Sequence, residues 1–443
     1  MPILYKKLFC CAHQFKLVIG ASIFFVSVAA QALKLEDAID SAIKFDPSLR
    51  ASKFNLLATE ENIAIARARL LPQISLQGSS NQLTQTTTQE LSSGGSSSRS
   101  FTGPSVNHQF VIRQALLRPK ELSALRYAEL QTQYMKIKYK SDLRDLRSRV
   151  INAWIELLGA QEIVKAYEVP LTLMQVVAKQ ERAKYEQGDS TKDSAAEAEA
   201  QYENSMATYI QAVENFKVKE GIFENLTKIP ATALAEKKLL IDLLPTFSEG
   251  EKTLLWESFQ DSSLELQMSK LNELMQLERV KIAESDHKPT LDFIAAVNLA
   301  QNDATSTQGI HYRNKQIGFQ YTVPLFSGGS LTAGTTQAKL GYEASLAEGE
   351  ALLTRLKNDF DISWGLLISN AARQKAMVVS LSSGLEQVRS TNRAFVLGVK
   401  SVGDSANSEL ALARKMNDLI FATQEYLKSV LKVDVNKLLL ANI

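Results

Sequence analysis

Apolar residues recur at spacings of three and four through most of this chain, and in four short places that period gives way to alternation. Near the start, Leu35, Ala38, Ile39, Ala42 and Ile43 define a helix over Leu33 to Leu70, interrupted at Asp46-Pro47 and stopped at Leu71-Pro72. From Pro72 the period falls to two, with Ile74, Leu76 and Gly78 on one side, which predicts a strand. Thr84 to Ser105 is Thr, Gln, Ser and Gly with almost nothing to bury, and predicts a solvated loop before a second strand over Asn107 to Leu116. Pro119 then opens a helical stretch to Gln187 with Pro170 as its one breaker, a length of about 100 Å. Within it Leu143, Leu146, Val150, Ala153, Leu157, Ala160 and Val164 form a heptad seam that asks for a partner helix. Gly188-Asp189-Ser190-Thr191 is a turn, and Lys192 to Leu226 runs back as an Ala- and Glu-rich helix.

The same order then recurs. After a mixed segment with Pro230, Pro245 and Gly250 come a helix over Leu254 to Asp286, a strand over Thr290 to Asn302 and a polar loop from Asp303 to Asn314. A strand over Gln316 to Val323 follows, then a helix over Thr332 to Leu397, a turn at Gly398 and a helix over Ser405 to Leu440. Pro72 corresponds to Pro289 and Gly188 to Gly398, so residues 33–229 and 254–443 read as two tandem repeats joined by a linker at 230–253. In the second repeat Leu291, Phe293, Ala295, Val297 and Leu299 alternate with polar residues, as do Ile317, Phe319, Tyr321 and Val323. Each predicted strand has about ten residues, the length a tilted strand needs to cross a bilayer. Four strands cannot close a barrel and open edges are not viable in lipid, whereas three copies would supply twelve strands.

Val323-Pro324-Leu325-Phe326-Ser327-Gly328-Gly329 lies between the last strand and a long helix, and reads as a strand-to-helix corner. Pro324 has no N–H for a ladder bond, and Gly328 and Gly329 tolerate backbone angles that other residues resist. A weaker copy, Gln114-Ala115-Leu116-Leu117-Arg118, stands at the corresponding place in the first repeat.

Composition narrows the setting. Lys6, Lys7 and Lys16 precede an apolar run from Leu17 to Ala30 that ends in Ala30-Gln31-Ala32, the layout of a cleavable export signal over residues 1–32. Both cysteines, Cys10 and Cys11, fall inside it, so the mature chain is expected to have no disulfide, thiolate metal site, cysteine nucleophile or lipidated N-terminus. The signal carries three of 50 basic and none of 48 acidic residues, leaving 47 − 48 = −1, with no basic excess to attract nucleic acid. No later run reaches the roughly 18 apolar residues of a spanning helix. His108, His287 and His311 lack metal-ligand spacing, and no nucleophile elbow, phosphate loop or dinucleotide fingerprint is present. Neither catalysis, a metal nor a cofactor is therefore expected.

Four features in order carry a resemblance: the Leu71-Pro72 junction, Ala153-Trp154 to Gln161 in the long helix, the Val323 to Gly329 corner, and Gly398 to Asp404 at the second helical turn. Through them the chain resembles the TolC-like outer-membrane efflux proteins over essentially all of its mature length. The resemblance implies a mainly α fold with a four-stranded β contribution, its two tandem repeats forming one third of a trimeric, twelve-stranded outer-membrane β-barrel. That barrel would be continuous with a long periplasmic α-helical barrel. It also implies a passive exit duct, a homotrimer set in outer-membrane lipid, working with a periplasmic adaptor protein and an inner-membrane ABC or proton-driven transporter.

The resemblance makes the second helical turn the periplasmic tip. Asp404 and Asn407 would then line the pore aperture, Asp193 would be the first-repeat counterpart of Asp404, and Gly188, Asp189, Gly398 and Ser401 would meet the adaptor. Read without the resemblance, Asp404 and Asp193 are also ordinary first-turn or capping acids. The chain departs from the family pattern in three places. Ala115 stands where Pro is favoured, so Pro119 would set that corner; the first hairpin reads one residue shorter than the second; and Phe395 and Lys400 replace a Tyr and an Arg that help hold some apertures shut. A periplasmic coiled-coil adaptor or scaffold without a pore would also explain the heptads and the signal, but leaves the four alternating strands unused. The cargo, whether drug, metal ion or secreted protein, is not written in such a duct. The missing lipidation site leans toward the protein-secretion and multidrug branch.

Overall fold

The structure, a computed structural model, describes residues 34–92, 94–230, 249–303 and 310–433. The expected signal at 1–32, most of the expected linker and the end of the last predicted helix lie outside the described residues. The first helix is α1, Leu35–Phe45, and it ends where Asp46 caps α2, Pro47–Ala68, with its carboxylate accepting from the Leu49 amide at 2.8 Å. Pro47 suits the first position of α2, where its missing N–H would have had no intrahelical partner. Strands β1, Gln73–Glu90, and β2, Ser96–Leu117, lead into α3, Pro119–Gln187, which runs through Pro170 without ending. Helix α4, Lys192–Thr227, returns along it.

The second half has α5, Glu249–Ser262, α6, Leu264–Ser285, β3, Thr290–Asn302, β4, Ile310–Thr322, α7, Ser330–Val396, and α8, Val402–Val433. The single helix expected over Leu254 to Asp286 is thus two, divided at Ser263, whose hydroxyl accepts the Leu266 amide and caps α6. Helix α5 also begins inside the segment expected to be linker.

The strands pair in order β1-β2-β3-β4, antiparallel throughout. The loop expected over Thr84 to Ser105 is instead mostly hairpin: Gln82 pairs with Pro104, Thr88 with Ser98 and Glu90 with Ser96. Strand β4 likewise starts at Ile310 rather than Gln316, because Lys315, Arg313 and His311 pair with Val297, Leu299 and Gln301. Backbone ladders formed where no apolar face called for them. The β1–β2 arm therefore extends past the four-stranded part, which stops where Ser105 meets Asn302. Its Thr and Ser side chains hydrogen-bond across the hairpin, as between Thr84 and Thr102.

Each strand continues directly into a helix. Helix α2 leads into β1, β2 into α3, α6 into β3 and β4 into α7, and near the sheet the helices pack in the same sequence, α2-α3-α6-α7. Toward the other end α4 replaces α2 beside α3, and α8 replaces α6 between α3 and α7. Helices α3 and α7 thus run the full length, each about 100 Å, while α2 with α4 and α6 with α8 stack end to end in two rows.

The core lies at the level where these rows meet. Leu146, Val150, Ala153, Leu157 and Ala160 of the predicted seam are buried, but so are Ile151, Trp154, Ile155 and Leu158 around the rest of α3. A helix buried on all sides has several neighbours rather than one coiled-coil partner, and here α1, α4 and α8 all pack on it. Trp154 meets Phe223 of α4 edge to face with centroids 5.9 Å apart. Glu156 accepts from Lys219 of α4 at 2.8 Å and pairs with Lys428 of α8 at 2.9 Å, joining three helices through one carboxylate.

Gln424 of α8 is buried and donates through Nε2 to the Ile155 carbonyl of α3 at 3.1 Å. Gly159 makes this possible, since a Cβ there would sit 2.0 Å from that nitrogen. Gly159→Ala is expected to destabilise the protein by about 1–3 kcal/mol through overpacking, measured as a lower denaturant midpoint. Gly159→Ala combined with Gln424→Ala should lose less than the sum of the single changes; strict additivity would show that the two do not share this contact.

Candidate functional site: the sheet corners and the helical tips

The four-stranded part has two different faces. Residues paired across the ladder point the same way, so Ile74, Ile112, Ala295 and Ile317 share one face, as do Leu76, Phe110 and Val297 in the next row. Phe293 and Phe319, on that same face, meet edge to face with centroids 5.7 Å apart. The opposite face carries Gln73, Ser75, Gln77, Arg113, Gln109, Asn298, Gln320, Gln316 and Asn314. Ile74, Leu76, Ile317, Phe319 and Tyr321 on the apolar face are each at least 65% exposed. A sheet that leaves so apolar a face exposed suits a lipid surround.

The two corners differ in construction. At the second, β4 ends at Thr322, residues 323–327 bridge without regular structure, and Gly328 and Gly329 take left-handed φ of 59° and 82°. The Ser330 amide donates to Ser327 O and the Ala333 amide to Gly329 O, which starts α7. Pro324 is half-buried, whereas Leu325 and Phe326 stand 92% and 88% exposed. At the first corner only Arg118 separates β2 from α3, and Pro119 sits at the first helical position, as Ala115 in place of Pro had suggested. The pairing of β2 with β3 slips between Ala115 and Leu117, and this bulge turns the strand.

A contact between distant positions holds the first corner. Arg118 makes a two-pronged ion pair with Asp292 on β3, 174 residues away, through Nε at 2.9 Å and Nη2. Asp292 is almost fully buried. Gln114 adds Nε2 bonds to the Leu70 and Ala115 carbonyls, both 2.8 Å. Sequence reading missed this set, because only the antiparallel register brings Asp292 opposite Ala115.

At the far ends of the long helices the two turns match. Gly188 and Gly398 both adopt left-handed φ, 82° and 75°, where a side chain would be strained. Three residues on, Thr191 caps α4 and Ser401 caps α8. The turns are therefore equal in length, and the offset read from sequence lies inside the helix. Ser194, not Asp193, occupies the place of Asp404, since each gives its amide to the capping hydroxyl, at 3.2 and 3.0 Å. Asp193 and Asp189 are exposed without sharing that bond, and Asn407 is exposed one turn along from Asp404.

Asp404 completes a reciprocal capping box: its Oδ2 accepts from both the Ser401 amide and the Ser401 hydroxyl, each at 2.9 Å. The amide bond first, then the hydroxyl, hold its carboxyl below its ordinary value, with Lys400 Nζ adding a weak pull from 3.8 Å. Around this polar cap the second tip leaves Phe395, Val396, Leu397 and Val399 exposed. Three of these were not singled out from sequence; four apolar residues around one turn glycine were the available signal.

An apolar-faced sheet prolonged by paired helices about 100 Å long is the layout of an outer-membrane channel protein. The chain belongs to the outer membrane efflux protein family, whose model matches residues 38–220 and 255–434. It is thus an outer-membrane efflux protein with a large periplasmic part. It is 24% identical over 376 residues to the proteases secretion protein PrtF of Dickeya chrysanthemi, covering 84% of this chain and 80% of that one. To the TolC outer membrane protein of Vibrio cholerae it is 23% identical over 423 residues, covering 94% and 93%. Among solved structures, a membrane protein of Pseudomonas aeruginosa superposes with a TM-score of 0.72 at 16% identity, covering 91% of this chain and 94% of that one. The VceC outer membrane protein of Vibrio cholerae gives 0.69 at 15%, covering 90% and 95%. Among the described residues no helix is long and apolar enough to cross a membrane.

The Asp404 carboxyl is stabilised in its ionised form, so the cap is at full strength above the ordinary value of 3.8 and is lost as pH falls through the lower folded value. Asp404→Ala should speed hydrogen exchange at the Ser401 amide roughly fivefold at neutral pH, and the ratio of the two rates, taken at the same pH, should shrink toward one as pH falls below 3.8 and through the lower folded value. Equal exchange in both proteins at neutral pH would show that the box does not hold the turn.

Proposed function

We propose that three copies close their sheets into one twelve-stranded outer-membrane barrel, with their helices forming a tube through the periplasm. The observation that carries this reading is the open sheet: β1 and β4 each leave one edge unpaired, while the face between them is apolar and exposed. In lipid such edges must pair, and pairing β1 of one copy with β4 of the next closes the ring. The apolar face then looks to lipid and the Gln-, Ser- and Asn-rich face to the lumen. Exposed apolar residues on the outer helices fit the same closure, Phe54 and Val218 on one side and Ile362 and Val379 on the other.

In this reading the two halves are tandem repeats, supported by the repeated element order α-α-β-β-α-α and by a family match in two segments. The tips at Gly188, Asp189, Gly398 and Ser401 meet a periplasmic adaptor, and Asp404 with Asn407 narrows the aperture, where a ring of carboxylates selects cations. The closed capping box gives a resting state for that turn, and engagement of an inner-membrane transporter and adaptor opens it. For cargo we favour polypeptides exported by a type I system, because PrtF and the alkaline protease secretion protein AprF of Pseudomonas aeruginosa are named for protease secretion.

The purified protein is expected to be a heat-modifiable trimer from the outer-membrane fraction that conducts in planar bilayers. A soluble periplasmic product would overturn the duct and favour an adaptor or scaffold. Asp404→Ala should weaken cation preference and block by multivalent cations at least severalfold; unchanged conductance, selectivity and block would remove Asp404 from the aperture. Given a protease-exporting ABC transporter and its adaptor in a host lacking their own duct, the chain should restore extracellular protease. Restoration of drug resistance alone, with a proton-driven pump, would reverse the assignment of cargo.

A further inference from the structure

The apolar face of the sheet changes character along its length. Leu291, Phe293 and Ala295 pair with Tyr321, Phe319 and Ile317, but the next three rows pair Val297 with Lys315, Leu299 with Arg313 and Gln301 with His311. On β2 those rows hold Phe110, His108 and Val106. The face that is apolar next to the helices therefore becomes basic toward its far end, with Arg313 and Lys315 as its fixed charges.

Among the described residues nothing neutralises these two cations. Both are exposed, and no carboxylate among the described residues lies within ion-pair distance of either. Asp303, one row beyond, is engaged by Gln301 Nε2 at 2.9 Å. Asp292 points to the other face and is taken by Arg118. A second copy brings little to offset them: β1 has no Asp or Glu from Gln73 to Gln89, and its one carboxylate, Glu90, lies at the far tip of the arm. Lysine on an edge strand guards soluble sheets against edge pairing, but this edge must pair if the barrel is to close.

Height identifies what faces them. β4 joins the helices beyond Thr322, so Tyr321 marks the periplasmic side of the sheet. With a rise of about 3.4 Å per residue and a tilt of about 40°, Arg313 lies about 20 Å further out along the membrane normal. The apolar band of an outer-membrane barrel is about 25 Å tall. Arg313 thus lies near the outer rim of that band, where lipid phosphates lie; Lys315, about 5 Å lower, reaches it by extending its long side chain, and the Thr- and Ser-rich arm of β1 and β2 begins just above. A guanidinium grips a phosphate with two parallel bonds, and the adjacent ammonium adds a compact charge.

We infer that Arg313 and Lys315, repeated on each copy around the barrel, form a binding belt for phosphorylated lipids of the outer leaflet, with His108 and His311 at its margin. This rests on the trimeric barrel proposed above. The full-length trimer, purified in a neutral detergent, would be incubated with lipid A carrying its phosphates or with the dephosphorylated form. Bound lipid per trimer is counted by native mass spectrometry, and the temperature of trimer dissociation is read on a gel.

Wild type should hold the phosphorylated lipid and dissociate several degrees higher with it, but show neither effect with the dephosphorylated lipid. Arg313→Gln combined with Lys315→Gln should carry at least about fivefold less lipid and lose the thermal shift. Arg99→Gln, which removes a charge from the other face of the arm, should leave both unchanged, and Arg313→Lys combined with Lys315→Arg should retain most of the binding. Equal retention of both lipids, or full binding by the Gln variant, overturns the belt. So does an equal thermal shift from inorganic phosphate, which would mark a simple anion site. Because the trimer band is read in every sample, loss of the belt is distinguishable from loss of the trimer.

Discussion

Unpaired backbone at the two edges of a four-stranded sheet is the constraint on which the rest of this molecule depends. Water can satisfy the N–H and C=O groups of such an edge, and lipid cannot. Since β1 and β4 flank an exposed apolar face, the edges and the lipid come together, and closure by further copies is the available remedy. Strand order and helix order agree, so any ring that closes the sheet also lays α7 beside the next copy's α2 and α4. In the proposed ring the sheet thereby dictates the shape of a tube whose far end lies about 100 Å away.

Transmission between the two parts runs through corners built differently. The first is taut: one residue, a proline at the helix start, a bulge, and the Arg118–Asp292 pair that fixes β2 and α3 to β3. The second is a five-residue bridge with two left-handed glycines and two apolar side chains left in the open. A buried ion pair is weak evidence for stability in itself, but here it joins residues that only correct strand pairing can bring together. Its role fits the registration of the sheet on the helices better than added strength. In the proposed ring, the exposed Leu325 and Phe326 fall near the inner edge of the lipid band and beside the next copy, where they can be covered.

At the other end the design favours local closure over burial. Both hairpin turns use a left-handed glycine and a hydroxyl cap three residues later, and only the second adds a carboxylate to complete the box. That difference makes the two turns electrostatically unequal while their backbones match. Deeper in, the Glu156 carboxylate and the Gln424 amide tie α3 to its neighbours through polar contacts set in an apolar surround. The helices are thus joined near mid-length by polar contacts, and closer to the tips by a smaller apolar cluster of Met174, Val177, Ala198 and Ala406.

Periodicity by itself determined the long helices, their breaks at Asp46-Pro47 and Gly188, and the four alternating segments. Each of these is a local signal, a spacing of apolar residues or a residue with a restricted backbone. The same reasoning failed over Thr84 to Ser105 and His311 to Lys315, because a strand with no apolar face leaves no mark in composition; only the ladder of a neighbouring strand forms it. It also missed the division at Ser263, and it misjudged the alignment of the tips by one residue, since a cap is defined by a hydrogen bond and not by a count from the glycine. Tertiary structure alone decided that Asp292 meets Arg118, that α3 is enclosed rather than paired, and that Arg313 and Lys315 share a face with Phe319. All of these follow from register, which couples residues far apart in the chain and is fixed only when the strands pair.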